Sequence, residues 1–325
     1  VFFFFFLIVG VREKIIEAIP SSLRLAVSAG IGLFICFIGL QNLGLVVDHG
    51  ETLVSLGAFT PGVLLGLGGL ALTAVLEVKR VRGALLIGIL ATTVAGVLAG
   101  QVALPERLWS VPPSPAPVAL QLDVFGALRW GLVGAIFSFM FVDLFDSIGT
   151  IVACSYEAEL VRDDGTIAGI NRMLEADAIA TIAGALLGTS TTTTYIESGA
   201  GIAAGARTGL SAVVTAALFV LALVFTPLIA VVPAFATAPA LIIVGVFMFR
   251  NIRRIDFQDF EIAVPAFLTI VLMPLCYSIS TGLTFGFLAY IVIAAAAGDA
   301  RRIHPVMWII GALSALDLVV AALVL

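Results

Sequence analysis

The chain has 325 residues, of which 61% are hydrophobic and 11% charged, with a mean hydropathy of +1.20 and a formal net charge of −5. A typical soluble domain carries about 25% charged residues, so this composition excludes an ordinary soluble enzyme. Apolar runs of about 20 residues recur, as bilayer-crossing helices require, whereas a transmembrane β-barrel would show segments of about 10 residues with strict alternation.

The chain opens with VFFFFFLIVG at 1–10, too short to span and without the basic region or cleavage site of a signal peptide, so it reads as the tail of a helix. Apolar spans are predicted at 24–47, 57–78, 82–104, 129–154, 168–188, 209–232, 236–250, 261–279, 281–298 and 305–325. A Pro-rich stretch, LPERLWSVPPSPAP, follows Ala103 and reads as an external loop with Trp109 near the interface. Residues 188–208 are too polar and too rich in glycine for an ordinary span.

Basic residues gather on the cytoplasmic side of membrane proteins. If residues 1–10 end in the cytoplasm, 14 of the 16 Lys and Arg residues fall on that side, leaving only Arg107 and Arg129 opposite. That bias requires 188–208 to cross the membrane, because Arg207 otherwise lands outside. A faint internal echo links IPSSLRLAVSAGIGLFI (19–35) to VPAFATAPALIIVGVFM (232–248), each followed by two further helices. Weak inverted symmetry of this kind marks secondary transporters.

Three carboxylates stand out against this apolar background: Asp143, Asp146 and Glu197. An ionisable group at bilayer depth costs a few kcal/mol or more and marks a site or a pathway. Asp143 and Asp146 lie three residues apart in FSFMFVDLFDSIGTIVA, hence on one face of a helix. Two acids that close repel one another, and burial further favours a protonated form, which suits proton coupling. Glu197 follows the run TSTTTTY, whose β-branched threonines disfavour helix and favour extended chain, and precedes SGAG, which permits a tightly packed half-helix. It is expected in the first turn of that half-helix, where backbone N–H groups stabilise an anion. Ser147 and Thr150 could line the same site, as could Thr194, Tyr195 and Ser198 around Glu197, while Gly149 reads as a close-packing residue. Phe141 and Phe145 are weaker candidates for covering a flat ligand. Glu175 and Asp177 read as cytoplasmic-end charges, Gln41 and Asn42 as interfacial, and Asp317 receives no role. Cys36, Cys154 and Cys276 are scattered and lack a CxxC pattern, and His49 and His304 fall in loops.

The motifs REKIIEAIPSSLRLAVSAGIGLFICFIGLQN, FVDLFDSIGT, TTTTYIESGAGIAAGARTGL and IHPVMW resemble those of the nucleobase–cation symporter 2 superfamily, specifically the AzgA-like hypoxanthine/guanine/adenine permeases. The resemblance covers essentially the whole chain. It implies an all-α polytopic membrane protein of 14 segments in two inverted repeats of seven, with the first three to four segments missing here. It also implies a short strand plus half-helix near 189–204. By that comparison, residues 1–10 are the end of core segment 4, 11–104 a gate part with segments 5–7, and 105–128 an external loop. Residues 129–232 are a core part with segments 8–11, 233–298 a gate part with segments 12–14, and 299–325 a tail with an extra apolar segment.

Carried over by position, Asp143 and Asp146 match the segment-8 acids and Glu197 the segment-10 glutamate that hydrogen-bonds the base. Thr150 stands where uracil-type relatives have a proton-linked histidine, so the proton falls to Asp143 or Asp146. The implied activity is import of purine nucleobases by proton symport across the cell (inner) membrane. The implied partners are a purine base, a proton, the lipid bilayer and a second copy in a homodimer; no metal, cofactor or nucleic acid is expected. Carboxylates suit purines, which present ring N–H and amino donors on a planar edge. An anion or sulfate carrier of similar architecture would offer cationic or neutral donors rather than three acids. An intramembrane aspartyl protease needs two aspartates that face each other, usually from different helices, and here both share one helix.

Overall fold

A computed structural model describes residues 18–105, 107–112, 114–123, 126, 133–162 and 166–324; the tail read at 1–10 lies outside them. Helices dominate, as expected for a polytopic membrane protein. In chain order they are α1 (Ser21–Leu43), α2 (Pro61–Val78), α3 (Ala84–Leu98), α4 (Val133–Glu157), α5 (Ile170–Leu187), α6 (Ser198–Ala203), α7 (Gly209–Val224), α8 (Thr226–Ile229), α9 (Ala234–Phe249), α10 (Phe260–Leu275), α11 (Ile279–Ala296) and α12 (Pro305–Val324). Among the described residues, four stretches are long and apolar enough to cross a bilayer by length and composition: Ser21–Leu43, Pro61–Val78, Ala234–Arg254 and Ile279–Ala296.

Local chemistry sets the helix ends. Thr60 caps α2, its hydroxyl accepting the Val63 N–H at 3.3 Å, with Pro61 at the first helical position. Asp259 caps α10 by accepting the Glu261 N–H, and Ser278 caps α11 by accepting the Thr281 N–H at 3.2 Å. Gly188 closes α5 in the left-handed region (φ 77°), a conformation that costs glycine little.

The structure adds a small sheet that the hydropathy pattern hides. Strands β1 (Val46–His49) and β2 (Leu53–Leu56) pair antiparallel, with Val46 opposite Leu56 and His49 opposite Leu53. His49 Nδ1 braces the turn, 2.9 Å from the Thr52 hydroxyl. His49 therefore ends a strand instead of sitting in a plain loop. Conversely, the strand expected near 189–204 does not form: 189–195 is irregular, and α6 follows as a helix of six residues. The threonines favour extended chain, but their hydroxyls bond to neighbouring helices, and among the described residues no strand pairs with them.

The chain groups into two compact units. One comprises 1–33, 114–196 and 248–325, the other 34–113 and 197–247. The first has a core of Leu25, Ala26, Ala29, Ile255, Ala266 and Ile270. The second is centred on Leu43, Ala238 and Ile242, with Phe235 packed against them.

Each unit contains a helical hairpin built on the same contact. In the second unit, α2 and α3 meet through two Thr–Gly pairs. The Thr73 hydroxyl donates to the Gly69 carbonyl on its own helix at 2.8 Å, and Thr92 does the same to Gly88. Each threonine also lies against the other helix's glycine, so a Cβ on Gly88 would strike Thr73 and one on Gly69 would strike Thr92. In the first unit, Thr269 on α10 donates to the Pro265 carbonyl at 2.9 Å and lies against Gly286 of α11. Small residues let helices approach closely where lipid supplies no hydrophobic drive for association.

Overpacking such a contact costs about 1–3 kcal/mol. Gly88→Leu is expected to lower the thermal midpoint in detergent by about 2 °C or more. Gly68→Leu on the open side of α2, where a Cβ meets nothing within 4 Å, should leave it nearly unchanged. Equal midpoints for the two variants would contradict this packing.

Candidate functional site

Helix α4 places Asp143, Asp146, Ser147 and Thr150 within two turns. Ser147 and Thr150 are buried, at 1% and 4% exposure. Gly149 packs closely, since a Cβ there would come within 3.3–3.4 Å of Ile31, Ile279 and Val27. Side chains of Phe141 and Phe145 lie outside the described residues.

Residues 191–194 run between α4 and α5 and hydrogen-bond to both. Thr191 donates its hydroxyl to Asp143 Oδ1 at 2.5 Å, and the Thr193 and Ser147 hydroxyls are 2.8 Å apart. On the other side, the Thr181 hydroxyl of α5 donates to the Thr192 carbonyl at 2.9 Å. Asp177 Oδ1 accepts from the Thr194 N–H at 3.2 Å, the Thr194 hydroxyl at 3.3 Å and the Ser147 hydroxyl at 3.1 Å. The Thr191 and Thr193 hydroxyls thus bond to α4, while the Thr192 carbonyl and the Thr194 N–H and hydroxyl bond to α5. Side-chain bonds from two helices hold the strip in place of a sheet ladder.

The two acids on α4 are not fully engaged. Among the described residues, Asp143 Oδ2 and Asp146 Oδ1 are buried without a hydrogen-bond partner. The Asp146 carboxylate faces the backbone N–H of Ser280 in the first turn of α11. One turn further along α11, the buried Thr284 hydroxyl also lacks a partner among the described residues. Two carboxylates and the N-terminus of α11 therefore meet at α4, a set able to accept hydrogen bonds from a polar planar ligand or to hold a proton.

Glu197 belongs to the other unit. It is exposed and occupies the N-cap of α6, and its side chain makes no capping hydrogen bond. The expected stabilisation by first-turn N–H groups is therefore not made: Glu197 has helical backbone angles (φ −59°, ψ −17°) instead of the extended ones of a capping residue. Glu197 borders an apolar cavity of about 260 Å³ with Ile35, Leu85, Leu241 and Val244. Tyr195 and Ser198 are exposed and Thr194 is partly buried, held by Asp177.

Asp177 is the residue that sequence reasoning misplaced. Far from being a cytoplasmic-end charge, it is 5% exposed and anchors the strip to α4 and α5. Its place one turn before Thr181 in a helix leading into the threonine run was the available signal. Glu175 beside it is exposed, as an end charge should be. Ser280 and Thr284 also went unnoticed, although the Ser-x-x-Thr cap at 278–281 marks where α11 begins. Asp317 on α12 is buried.

Apolar helices, buried acids and a polar break between helices are the make-up of a membrane transporter. Residues 1–285 match the Permease family (xanthine/uracil permeases), and the chain belongs to that family, within the nucleobase–cation symporter 2 superfamily. It is similar to the guanine/hypoxanthine permease PbuG of Bacillus subtilis, with 45% identity over 92% of this chain and 68% of that protein. It shows 40% identity to the adenine permease AdeQ of Escherichia coli, over 95% of this chain and 70% of that protein. It is also 40% identical to the guanine/hypoxanthine permease PbuO of Bacillus subtilis, over 91% of this chain and 70% of that protein. The protein is thus a multi-pass cell-membrane permease.

Removing the Asp177 acceptor strands the Thr194 N–H, which alone costs roughly 1–3 kcal/mol. Asp177→Leu is expected to lower the thermal midpoint in detergent clearly, and Asp177→Asn, which keeps an acceptor oxygen, to lower it less. A leucine variant as stable as the wild type would show that the Asp177 bonds do not hold the strip.

Proposed function

We propose that this protein imports purine nucleobases by proton symport, with the carboxylates on α4 binding base and proton. Support comes from the relatives named as guanine/hypoxanthine and adenine permeases. The observation that carries the reading is the pair of acids on one helical face, each with a buried oxygen lacking a partner among the described residues. An ionised carboxylate only accepts hydrogen bonds, and the Watson–Crick edges of hypoxanthine, guanine and adenine all present N–H donors. Asp146, beside the α11 N-terminus, is assigned to the base, and Asp143, bonded to Thr191, to the proton. Glu197 enters from the motif resemblance as a further acceptor for the base, with Ser147, Thr150, Thr194, Tyr195 and Ser198 as lining residues.

In this proposal residues 1–10 and 129–232 form the core part and 11–104 and 233–298 the gate part. The Thr–Gly contact recurring in the α2–α3 and α10–α11 hairpins supports the repeat reading, since both are the last two helices of their echoing segments. Movement of one part against the other would alternate access to the site. A homodimer is the proposed assembly.

The test is uptake of labelled hypoxanthine, guanine and adenine into vesicles carrying the complete protein, under an imposed inward proton gradient. A hydrogen bond to a charged group contributes about 1.5–3 kcal/mol. Asp146→Asn and Glu197→Gln are each expected to raise the half-saturating concentration roughly tenfold or more at equal protein level. Unchanged uptake in both variants would contradict the site assignment, and gradient-independent accumulation would contradict symport.

A further inference from the structure

The Thr191–Asp143 bond sits where the proposed proton site meets the strip that leads into α6. At 2.5 Å it lies at the short end of the 2.5–2.7 Å usual for a hydroxyl bonded to a carboxylate. Among the described residues it is the one hydrogen bond between Asp143 and the strip, and Asp143 Oδ2 is buried without a partner among them. Thr191 stands in turn 3.5 Å from the Thr181 hydroxyl, which holds the Thr192 carbonyl. Each hydroxyl has its one proton committed, Thr191 to Asp143 and Thr181 to the Thr192 carbonyl, so the two touch without a hydrogen bond between them. The ionisable groups carried by elements packed against α4 are Arg172, Glu175 and Asp177 on α5, Tyr290 on α11, Asp317 on α12, and Arg24 and Cys36 on α1. Asp146 shares the helix itself.

We infer that Thr191 is a positioning residue that couples protonation of Asp143 to the hold on residues 189–194. The inference rests on the proton role proposed above for Asp143. A proton delivered from hydronium adds to Oδ2, forming an O–H bond and a neutral carboxyl group and leaving a water molecule. Oδ1 still accepts from Thr191, but the bond loses its charge assistance, and a charge-assisted bond is roughly twice as strong as a neutral one. The strip is then held on its α4 side chiefly by the Ser147–Thr193 pair, while its α5 side keeps Asp177 and Thr181. Because Glu197 follows the strip within three residues of Thr194, loosening of the strip reaches the start of α6 along the chain.

Two readouts test this in the complete protein. The first needs no substrate: amide hydrogen exchange of a peptide spanning the bonded amides of Thr189 and Thr194. Asp143→Asn, a neutral mimic of the protonated acid, should speed exchange several-fold, Thr191→Val should do the same, and the double variant should add nothing further. No change in Asp143→Asn, or full additivity of the two, would overturn the inference. The second is transport. Thr191→Val should lose about tenfold of gradient-driven purine accumulation yet keep base exchange across vesicles without a gradient, and Thr191→Ser should restore accumulation. A valine variant that accumulates like the wild type, or a serine variant that fails to rescue, would overturn the coupling. A wild type that moves no purine would contradict the proposed function while the exchange readout still decides the hydrogen-bond link.

Discussion

A polar backbone segment inside an apolar protein must find its hydrogen bonds within the protein, and the rest of the site depends on how residues 191–194 meet that demand. Hydrocarbon offers no water, so each stranded group costs several kcal/mol. This chain supplies bonds from two helices: Asp143 and Ser147 on α4, Asp177 and Thr181 on α5. The threonine run is therefore more than a helix breaker. Its hydroxyls, together with the Thr192 carbonyl and the Thr194 N–H, hold extended chain between two helices without a sheet.

That arrangement also explains why the acids on α4 can be functional and structural together. Asp143 uses one oxygen on Thr191 and Asp146 faces the Ser280 N–H, and each has a second oxygen unengaged among the described residues. Asp177 takes three donors on one oxygen and fixes the frame. One buried acid holds the site together while two others on the neighbouring helix face inward with capacity to spare. The Thr–Gly hairpins bring α10 close to α11, and α11 delivers Ser280 to Asp146.

Much of this was legible in the sequence. The helices fall within a few residues of the predicted spans, because hydropathy and the caps at Thr60, Asp259 and Ser278 act locally. The shared face of Asp143 and Asp146 follows from helical spacing alone, and the close packing of Gly149 from its size. What escaped depends on long-range partners. Asp177 looked like an end charge because its partners Thr194 and Ser147 lie 17 and 30 residues away. The β-propensity at 189–195 was read correctly as anti-helical, but whether such chain pairs with a strand or with helices is decided by what packs beside it. The β1–β2 hairpin was missed because its apolar residues merge with the adjoining spans.

The central claim is that the acid face of α4 is where a purine base binds. A structure of the complete protein with hypoxanthine bound tests it most directly. The account predicts a base N–H within about 2.6–3.2 Å of an Asp146 carboxylate oxygen. A base seated away from α4, with Asp143 and Asp146 unchanged around it, would contradict it.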